Sequence, residues 1–443
     1  MKTEFSLAQL ADPDIAEADK ILRACVHCGF CTATCPTYVL LGDELDSPRG
    51  RIYLIREMLE KEKPPTKEVV KHIDRCLSCL ACMTTCPSGV HYMHLVDQAR
   101  VRIEEQYRRP LAERWLRSAL GFVLPRPGAF RAAIQLGRLV RPIMALLSTG
   151  SGTAIDPSLL RRIKAMLALS PDRLPPPGPA AGRVFAARGE RRGRVALLQG
   201  CAQQVLAPRI NQAAINVLTR HGVEVVVADE GCCGSLAHHM GRESEALSAA
   251  RRQIDAWTAE IEGEGLDAIL VTASGCGTVV KDYGYLLRTD ETYAPKALRV
   301  SRLAKDISEY LSGLELSSTR DPTGLVVAYH SACSLQHGQK ITRAPKELLC
   351  KFGFVVKDVA EGHLCCGSAG TYNMLQPELA RRLRDRKVGN IEKLKPDVIA
   401  AGNIGCMTQI AAGTVIPVVH TVELVDWATG GPEPEALAGK RGI

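Results

Sequence analysis

The 443-residue sequence has few aromatic residues, at 5%. It also has no run of about 18 or more apolar residues, and this absence argues against a membrane-spanning helix. Its first residues, MKTEFSLAQLADPDIAEADK, include several acids and no apolar core segment, which is unlike a secretory signal. There is no G-x-G-x-x-G fingerprint after a strand and no P-loop, so the chain has no nucleotide-binding motif of its own. The lack of a secretory signal and of a membrane-spanning run predicts a cytoplasmic chain.

Cysteine, by contrast, is abundant and unevenly distributed. Of the seventeen cysteines, eight lie from Cys25 to Cys86, none between Cys86 and Cys201, and nine from Cys201 onward. In a cytoplasmic chain, many cysteines at tight spacings indicate metal or redox chemistry rather than disulfides. Their distribution predicts one group of sites near the N-terminus and another in the C-terminal half.

The N-terminal cysteines form two copies of the pattern C-x2-C-x2-C-x3-C-P, which is typical of bacterial ferredoxins with two [4Fe–4S] clusters. Three cysteines two residues apart wrap around one cluster, and the fourth lies too far along the chain to join it, so it ligates the other cluster. Zinc is the alternative metal for such thiolates. The predicted ligands are Cys25, Cys28, Cys31 and Cys86 for the first cluster, and Cys76, Cys79, Cys82 and Cys35 for the second.

The segments around these motifs are helical in pattern. LAQLADPDIAEADKILRAC precedes the first motif, and RIYLIREMLEKEK lies between the two, both with apolar residues at helical spacing. SPRGR also lies between the motifs, and its Arg49 and Arg51 are expected either to donate to cluster sulfurs or to pair with acids at a helix start.

Residues 100–142 carry ten arginines against three glutamates. The pattern is helical, with prolines at 110, 125, 127 and 142 as predicted breaks. The simplest interpretation is a solvated basic helix pair, and the alternative is contact with an acidic partner surface or anionic lipid. Nucleic acid is not expected as a partner. A Pro/Gly/Arg-rich linker over 170–194 then marks the clearest domain boundary.

An internal repeat follows the linker. VALLQGCAQQ matches LVVAYHSACSLQ, ADEGCCGS matches EGHLCCGSAG, and DAILVTASGCGT matches DVIAAGNIGCMT. Apolar β-rich runs alternate with helical stretches, as in VALLQ, VEVVVAD and DAILVTA around the helical INQAAINVLTRHG, which predicts parallel sheets covered by helices. The cysteines follow the strands directly, so we expect them at the carboxyl ends, where such sheets build their sites.

Four cysteines gather in each repeat, and adjacent pairs on a glycine-bearing loop can hold two metals of one cluster. Zinc, a vicinal disulfide and buried structural cysteines are the alternatives. Cys350 has no counterpart and is expected in the core, on a helix. Nearby histidines, His238, His239, His330, His337 and His363, are each expected to be satisfied polar residues, although one could be a ligand or proton donor. The candidate metal ligands are Cys201, Cys232, Cys233, Cys276, Cys333, Cys365, Cys366 and Cys406.

With these features placed, the chain resembles the iron–sulfur subunits of glycolate oxidase, also called glycolate dehydrogenase. The resemblance runs essentially from end to end, on CVHCGFCTATCPTY, LLGDELDSPRGRIYLIREM, DRCLSCLACMTTCPSGV and HLCCGSAGTYNMLQPELARRLRD. More broadly it is similar to the family with CCG cysteine-rich domains, which includes heterodisulfide reductase subunits and the C subunit of anaerobic glycerol-3-phosphate dehydrogenase.

The resemblance implies an α+β multidomain fold with a helical two-cluster ferredoxin module at 1–100. A basic helical segment and linker at 101–192 and two α/β CCG domains with parallel sheets, at 193–318 and 319–443, would follow. It also implies a partner subunit that carries FAD and oxidises glycolate to glyoxylate. This chain would pass the electrons towards a quinone-side acceptor, in peripheral contact with the inner membrane, and by itself would lack the substrate site.

One departure from the wider family concerns the end of each repeat. In heterodisulfide reductases the repeat ends in C-x-x-C, whereas Val279 and Gln409 stand where the fifth cysteine would be. The missing fifth cysteine argues against a noncubane cluster and against disulfide reduction, whereas four thiolates can still hold a cubane, a smaller cluster or zinc. The alternative functions are electron transfer in a lactate or glycerol-3-phosphate dehydrogenase, a heterodisulfide reductase-like enzyme, and a zinc-bearing scaffold.

Overall fold

An all-helical N-terminal part precedes two largely parallel sheets in the computed structural model of the protein. The structure describes residues 1–147, 157–228, 231–319 and 324–438. Four stretches lie outside the described residues: 148–156 in the predicted helical segment, and 229–230, 320–323 and 439–443 in the predicted repeats. The predicted α+β multidomain class is confirmed.

The two cysteine motifs lie among eight helices. The single helix expected before Cys25 is divided in two, because Asp12 caps the second helix and Pro13 begins it. Leu22, Ile55 and Leu95 are fully buried where three of the longer helices pack together. The helices are α1 Leu7–Leu10, α2 Pro13–Ala24, α3 Phe30–Thr34, α4 Pro36–Leu41, α5 Pro48–Glu60, α6 Lys67–Asp74, α7 Ala81–Thr85 and α8 Tyr92–Gln106.

The basic segment continues from α8 into three further helices, α9 Leu111–Val123, α10 Pro127–Leu147 and α11 Pro157–Leu169. Prolines 110, 125 and 127 lie at helix boundaries, as predicted. The break expected at Pro142 is wrong, because α10 continues through this position. A proline inside a helix removes one backbone donor and strains the preceding turn, so this position carries a local cost that the helix tolerates.

The expectation of a purely solvated basic surface is also wrong. Arg109 and Arg117 are buried, and both contact Asp74, at 2.5 and 3.2 Å. Arg100 is buried as well and donates to the Cys76 carbonyl at 2.7 Å. These arginines therefore help to attach the basic helices to the second cysteine motif.

The first sheet has the strand order β1-β3-β2-β4-β5 and is parallel apart from β1. β1 comes from the predicted linker, which therefore supplies an edge strand. The strands and the helix predicted in the first repeat are all present. The elements are β1 Arg183–Phe185, β2 Gly193–Leu198, α12 Gln203–Leu206, α13 Arg209–Arg220, β3 Val223–Val227, α14 Ser235–His239, α15 Glu243–Glu262, β4 Ala268–Val271, α16 Ser274–Lys281, α17 Tyr283–Leu286, α18 Ala294–Leu303, β5 Ala304–Asp306 and α19 Ile307–Leu311.

The second sheet has the order β7-β6-β8-β9 and is fully parallel, so it repeats the arrangement of β3-β2-β4-β5. A π-helical turn over Ser334–Gly338 follows its first strand. The elements are β6 Val326–His330, α20 Ala344–Lys351, β7 Val355–Asp358, α21 Tyr372–Leu375, α22 Pro377–Glu392, β8 Val398–Ala401, α23 Ile404–Ala411, β9 Val418–His420 and α24 Thr421–Ala428.

The two repeats share one hydrophobic core, in which residues of both sheets pack together with α13 and α24. Polar contacts join them near the cysteines. The Ser274 and Ser334 hydroxyls are 2.7 Å apart, and the His420 ring nitrogen Nε2 is 2.8 Å from the Thr272 carbonyl. This packing brings the carboxyl ends of the two central strands towards each other.

Candidate metal centres

The ferredoxin-type cysteines lie around two small cavities. Both loops use left-handed backbone conformations before a short helix, at His27 and Gly29 before α3 and at Ser78 and Leu80 before α7. One cavity is lined by Cys25, Cys28, Cys31, Cys82 and Cys86. The other is lined by Cys35, Cys76, Cys79 and Cys82. Each predicted ligand set is thus gathered at one cavity, and Cys82 lies between the two.

The chemistry of these thiols suits a cationic metal group. Burial, together with the charge of neighbouring thiolates, raises the pKa of Cys31 to about 11. Burial likewise raises the pKa values of Cys79 and Cys82 well above the ordinary thiol value. Thiols this close and this buried resist ionising together unless a metal compensates their charge, so the donor set fits iron–sulfur clusters.

Polar side chains surround the second cavity. The Arg51 guanidinium is fully buried, lies 3.7 Å from the Cys35 sulfur and contacts Asp46 at 3.4 Å, so it takes both of the expected roles. Arg49 instead pairs with Glu44. The Tyr92 hydroxyl donates to the Cys76 sulfur at 3.7 Å. Asp46 and Tyr92 were missed by sequence reasoning, because nothing in the motif spacing indicates them.

The cysteines of each repeat meet at the carboxyl ends of the strands, as expected. In the first CCG site (Cys201, Cys232, Cys233 and Cys276) the sulfurs of Cys201 and Cys232 are 3.6 Å apart. In the second CCG site (Cys333, Cys365, Cys366 and Cys406) the sulfurs of Cys333 and Cys365 are 3.7 Å apart. Contacts of Cys233 with Cys276, and of Cys366 with Cys406, complete the two sets, and all of these cysteines are unbridged.

A glycine shapes each paired-cysteine loop. Gly234 and Gly367 have φ angles of 83° and 90°, a conformation that favours glycine. A Cβ at Gly367 would lie 2.5 Å from the Ala380 carbonyl oxygen, and one at Gly234 would lie 2.8 Å from that of Ala246. The loop backbone therefore packs directly against the second helix after it, α15 in the first repeat and α22 in the second, which fixes the direction of the cysteine pair.

Cys350 lies apart from both sites. It is on a helix, α20, as predicted, but the expectation of a core position is wrong because its side chain is exposed. Leu348 and Leu349 occupy the buried face of that helix instead.

The histidines near the cysteines have different environments. His238 pairs with Asp97 at 3.1 Å, and His337 contacts the Thr84 hydroxyl at 2.8 Å. His363 is partly exposed. His330 departs from the expectation of a satisfied polar residue, because it is 2% exposed and neither ring nitrogen has a hydrogen-bond partner among the described residues. It lies beside Cys366 and Cys406, with the three ligand atoms within 4.8 Å of one another.

A cavity of about 470 Å³ connects the two CCG sites. Cysteines of both sites line it, together with Cys76 of the second ferredoxin motif. Apolar side chains of α9, α10 and α11, among them Leu120 and Ile134, close another side. His239 also lines this cavity. Its walls thus combine thiols with a large apolar surface.

Across the described residues, we find no helix with both the length and the apolar character needed to cross a bilayer. The α9–α10 pair nevertheless exposes several large apolar side chains: Leu111, Trp115, Phe122, Leu136, Leu139 and Val140.

The N-terminal part is helical and carries two ferredoxin-type cysteine motifs, and two largely parallel sheets with cysteines at their strand ends follow it. This arrangement is typical of iron–sulfur proteins of electron-transfer complexes. Residues 21–90 match the 4Fe-4S dicluster domain family. Residues 195–281 and 327–411 match the cysteine-rich CCG domain family. A hypothetical protein from Helicobacter pylori has a similar fold, with a TM-score of 0.51 at 11% identity over 96% of this chain and 74% of that one.

Two relatives in sequence indicate a more specific family within this class. The glycolate oxidase iron–sulfur subunit of Escherichia coli is 44% identical over 97% of this chain and 99% of its own length. A probable glycolate oxidase iron–sulfur subunit of Bacillus subtilis is 30% identical over 97% of this chain and 99% of its length. The chain belongs to this family of iron–sulfur subunits of an oxidoreductase complex, which confirms the resemblance found in the sequence.

Proposed function

We propose that this chain carries electrons within a complex that oxidises glycolate to glyoxylate, taking them from an FAD-bearing partner subunit. The observation that carries the proposal is the gathering of eight ferredoxin-type cysteines around two adjacent cavities, in a chain 44% identical along nearly its whole length to a glycolate oxidase iron–sulfur subunit. Iron–sulfur clusters supply one-electron transfer, and the flavin divides the two-electron oxidation into single steps.

Electrons enter, in this proposal, at the first ferredoxin site. Cys28 is exposed there, and Val26 and Phe30 beside it are also exposed, at 67% and 62%. An apolar patch around a cluster ligand suits docking of a partner, because it brings the partner's flavin close to the first cluster. The ligands proposed for this cluster remain Cys25, Cys28, Cys31 and Cys86.

The second ferredoxin site then links the first to the repeats. Its proposed ligands are Cys35, Cys76, Cys79 and Cys82. Cys79 packs in one hydrophobic cluster with Cys365 of the second CCG site, with Cys333 against the same cluster. Negative charge on Cys333 also adds to the rise in the Cys79 pKa that burial causes. This proximity supports electron transfer from the second cluster to the second CCG site.

The electrons leave through the cavity between the CCG sites, where we propose that a quinone binds. Its apolar wall suits a lipophilic acceptor, and the sulfurs suit electron delivery. The His239 Nδ1 atom is buried without a hydrogen-bond partner among the described residues, so it is available to hydrogen-bond a quinone oxygen.

The same helices suit a bilayer surface. α9 and α10 carry the exposed apolar side chains described above, and exposed arginines lie among them at 108, 114, 126 and 138. Apolar side chains together with cations favour peripheral contact with anionic lipid. A quinone would then enter from the membrane beside the cavity.

The test is anaerobic reduction of the intact complex. We expect co-purification with a flavoprotein and a reduced cluster signal in electron paramagnetic resonance (EPR) after addition of glycolate, with lactate and glycerol 3-phosphate as comparisons. The Cys79→Ala variant should abolish glycolate-dependent quinone reduction and leave flavin reduction intact. Unchanged quinone reduction without the second cluster, verified by iron content, would exclude the proposal.

A heterodisulfide reductase-like activity would appear instead as thiol formation by the cluster-replete chain alone. A zinc scaffold would contain no iron beyond the ferredoxin-type sites and would transfer no electrons through its repeats.

A further inference from the structure

We propose that the His330 imidazole is a ligand to the metal of the second CCG site, bound together with Cys366 and Cys406. The inference rests on the role proposed above for the second CCG site in electron transfer and on the sequence prediction that its cysteines bind a metal. It goes further by adding a nitrogen donor to a site otherwise made of thiols.

The first argument is the state of the His330 side chain. It is 2% exposed, and both ring nitrogens are buried without a hydrogen-bond partner among the described residues. An imidazole has two polar nitrogens, and burying both without a partner is unfavourable because each loses its hydrogen bonds to water. Metal coordination would satisfy one of them. The neighbouring cation Lys387 does not do so, because it donates to the Glu361 carbonyl at 2.8 Å.

The second argument is geometry. His330 ends β6, Cys366 follows β7, and Cys406 lies in the first turn of α23 after β8. These three strands are neighbours in the sheet, so each supplies one donor at the same place. All three residues are buried, and their donor atoms lie within 4.8 Å of one another. Metal–sulfur bonds of about 2.3 Å and metal–nitrogen bonds of about 2.0 Å place the donors of one metal at similar separations.

The third argument is the difference between the repeats. His330 pairs with Ala401 of β8, five positions before Cys406, and in the first repeat Leu198 pairs with Val271, five positions before Cys276. Leucine therefore occupies the place of the histidine, and no metal-binding group of this kind is present among the described residues of the first site. A fifth cysteine is lacking in both repeats. His330 would therefore give a fifth donor to the second site and not to the first.

An imidazole ligand has a definite electronic effect. It is neutral, whereas a thiolate is anionic, and replacing cysteine by histidine raises the potential of iron–sulfur centres. The second CCG site would therefore have a higher reduction potential than an all-thiolate site in the same surroundings. It would attract electrons from the second ferredoxin cluster, which lies next to it.

The test uses the full-length chain, purified anaerobically with its partners after labelling of histidine with ¹⁵N. Iron and zinc are first counted per chain in the unmodified protein and in Cys366→Ala. Pulsed EPR then detects nitrogen coupled to the reduced centre if the metal is iron, and X-ray absorption at the zinc edge detects a nitrogen ligand if it is zinc. His330→Gln is the test variant, and His363→Gln is the control on a partly exposed histidine nearby.

We expect a histidine nitrogen signal in the unmodified protein and in His363→Gln, and its loss in His330→Gln. His330→Cys restores a ligand and should keep the metal. If the metal is iron, the midpoint potential should shift to a more negative value, and if it is zinc, the zinc-edge spectrum should show sulfur in place of nitrogen. That variant also keeps the inference testable if His330→Gln does not fold, because an unshifted potential of an iron centre, or an unchanged zinc-edge spectrum, would overturn it.

Two negative results can be told apart. If metal content is the same in Cys366→Ala as in the unmodified protein, the second CCG site holds no metal, and both the site and the His330 assignment fail. If Cys366→Ala loses metal but no histidine nitrogen is detected, or if the nitrogen signal persists in His330→Gln, the His330 assignment alone is overturned.

Discussion

Single residues around the second ferredoxin site decide its charge and its hydrogen bonding. Arg51 contacts both the Cys35 sulfur and the Asp46 carboxylate, and Asp46 also accepts from Arg75 at 2.7 Å and lies 2.9 Å from a His72 ring nitrogen. A buried cation beside a thiolate ligand stabilises the reduced, more negative state of a cluster, because hydrogen bonds to sulfur and nearby charge both set the potential.

We expect Arg51→Met to lower the free energy of unfolding by about 3 kcal/mol, because it removes one partner of a buried ion pair. Arg51→Lys keeps the charge but loses the planar set of donors, so it should stay folded and shift the second cluster to a more negative potential. Denaturant unfolding and EPR-monitored redox titration measure the two effects. Arg49→Lys, on the exposed pair with Glu44, should change neither; an equal shift in that control would contradict the role of Arg51.

A second residue-scale prediction concerns the loop glycine of the second CCG site. Gly367→Ala places a Cβ 2.5 Å from the Ala380 carbonyl oxygen at a φ of 90°, so the loop must move. We expect a destabilisation of about 1–3 kcal/mol and loss of metal from that site. Gly389→Ala is the control, since it lies within α22 where an added Cβ meets nothing, and should stabilise the protein by about 0.5–1 kcal/mol. Full metal content in Gly367→Ala would refute the prediction.

At the scale of elements, α9 and α10 have two different faces. Their inner face lines the cavity with Leu120 and Ile134, and their outer face exposes Trp115 and Leu139 at 75% and 72%. One pair of helices thus borders both the proposed quinone site and the proposed bilayer contact. The arginines divide in the same way, with some buried against Asp74 and others exposed.

Replacing Trp115 and Leu139 together by serine removes apolar area from the outer face only. We therefore expect weaker co-sedimentation with vesicles that contain anionic phospholipid, by about tenfold or more, with fold stability nearly unchanged. Val415→Ser is the control, because Val415 lies outside α9 and α10 and its side chain is 92% exposed. This variant should bind vesicles as the unmodified chain does. Equal binding by all three proteins would argue against membrane contact through α9 and α10.

At the scale of the whole molecule, the ferredoxin-type part is held to the first repeat by pairs of titratable groups. His94 lies 3.1 Å from an Asp282 carboxylate oxygen and stacks on Tyr285, and His238 of α14 pairs with Asp97 of α8 at 3.1 Å. Burial opposes charge on Asp97, but His238, His239 and Arg100 outweigh it and lower the Asp97 pKa to about 2. Burial also opposes charge on His238, yet Asp97 raises the pKa of that histidine above its ordinary value.

These shifts give the interface a dependence on pH. The depressed Asp97 pKa contributes stability above about pH 4 that is lost as the pH falls towards 2. The raised His238 pKa contributes stability below about pH 6.5 that is lost as the pH rises through the folded-state value. We expect the Asp97→Asn variant to be destabilised most between these limits, by about 2 kcal/mol, and to lose this part of the pH dependence.

Unfolding midpoints measured from pH 5 to pH 8 check this expectation. Asp290→Asn weakens a partly buried pair with Arg251, away from Asp97 and His238, and serves as the control. If the Asp97→Asn variant retained the pH profile of the unmodified chain, the pair would not be the source of it.

The sequence alone determined the two ferredoxin motifs, the repeat, the alternation of strands and helices, and the family. These features depend on local spacing and periodicity, which can be read from the sequence without knowing how distant segments pack. It also placed the repeat cysteines at strand ends, because parallel strands all present their carboxyl ends on one edge of the sheet.

Only the tertiary structure decided which groups meet across long sequence separations. Spacing could not decide which of Arg49 and Arg51 reaches a cysteine sulfur. It also could not indicate that Arg109 and Arg117 turn inward to Asp74, that Cys350 faces solvent, or that both CCG sites open into one cavity. His330 is the clearest case, since a histidine in an apolar strand reads as an ordinary core residue until its burial and missing partners are known. Packing sets these contacts, and packing depends on the whole chain at once.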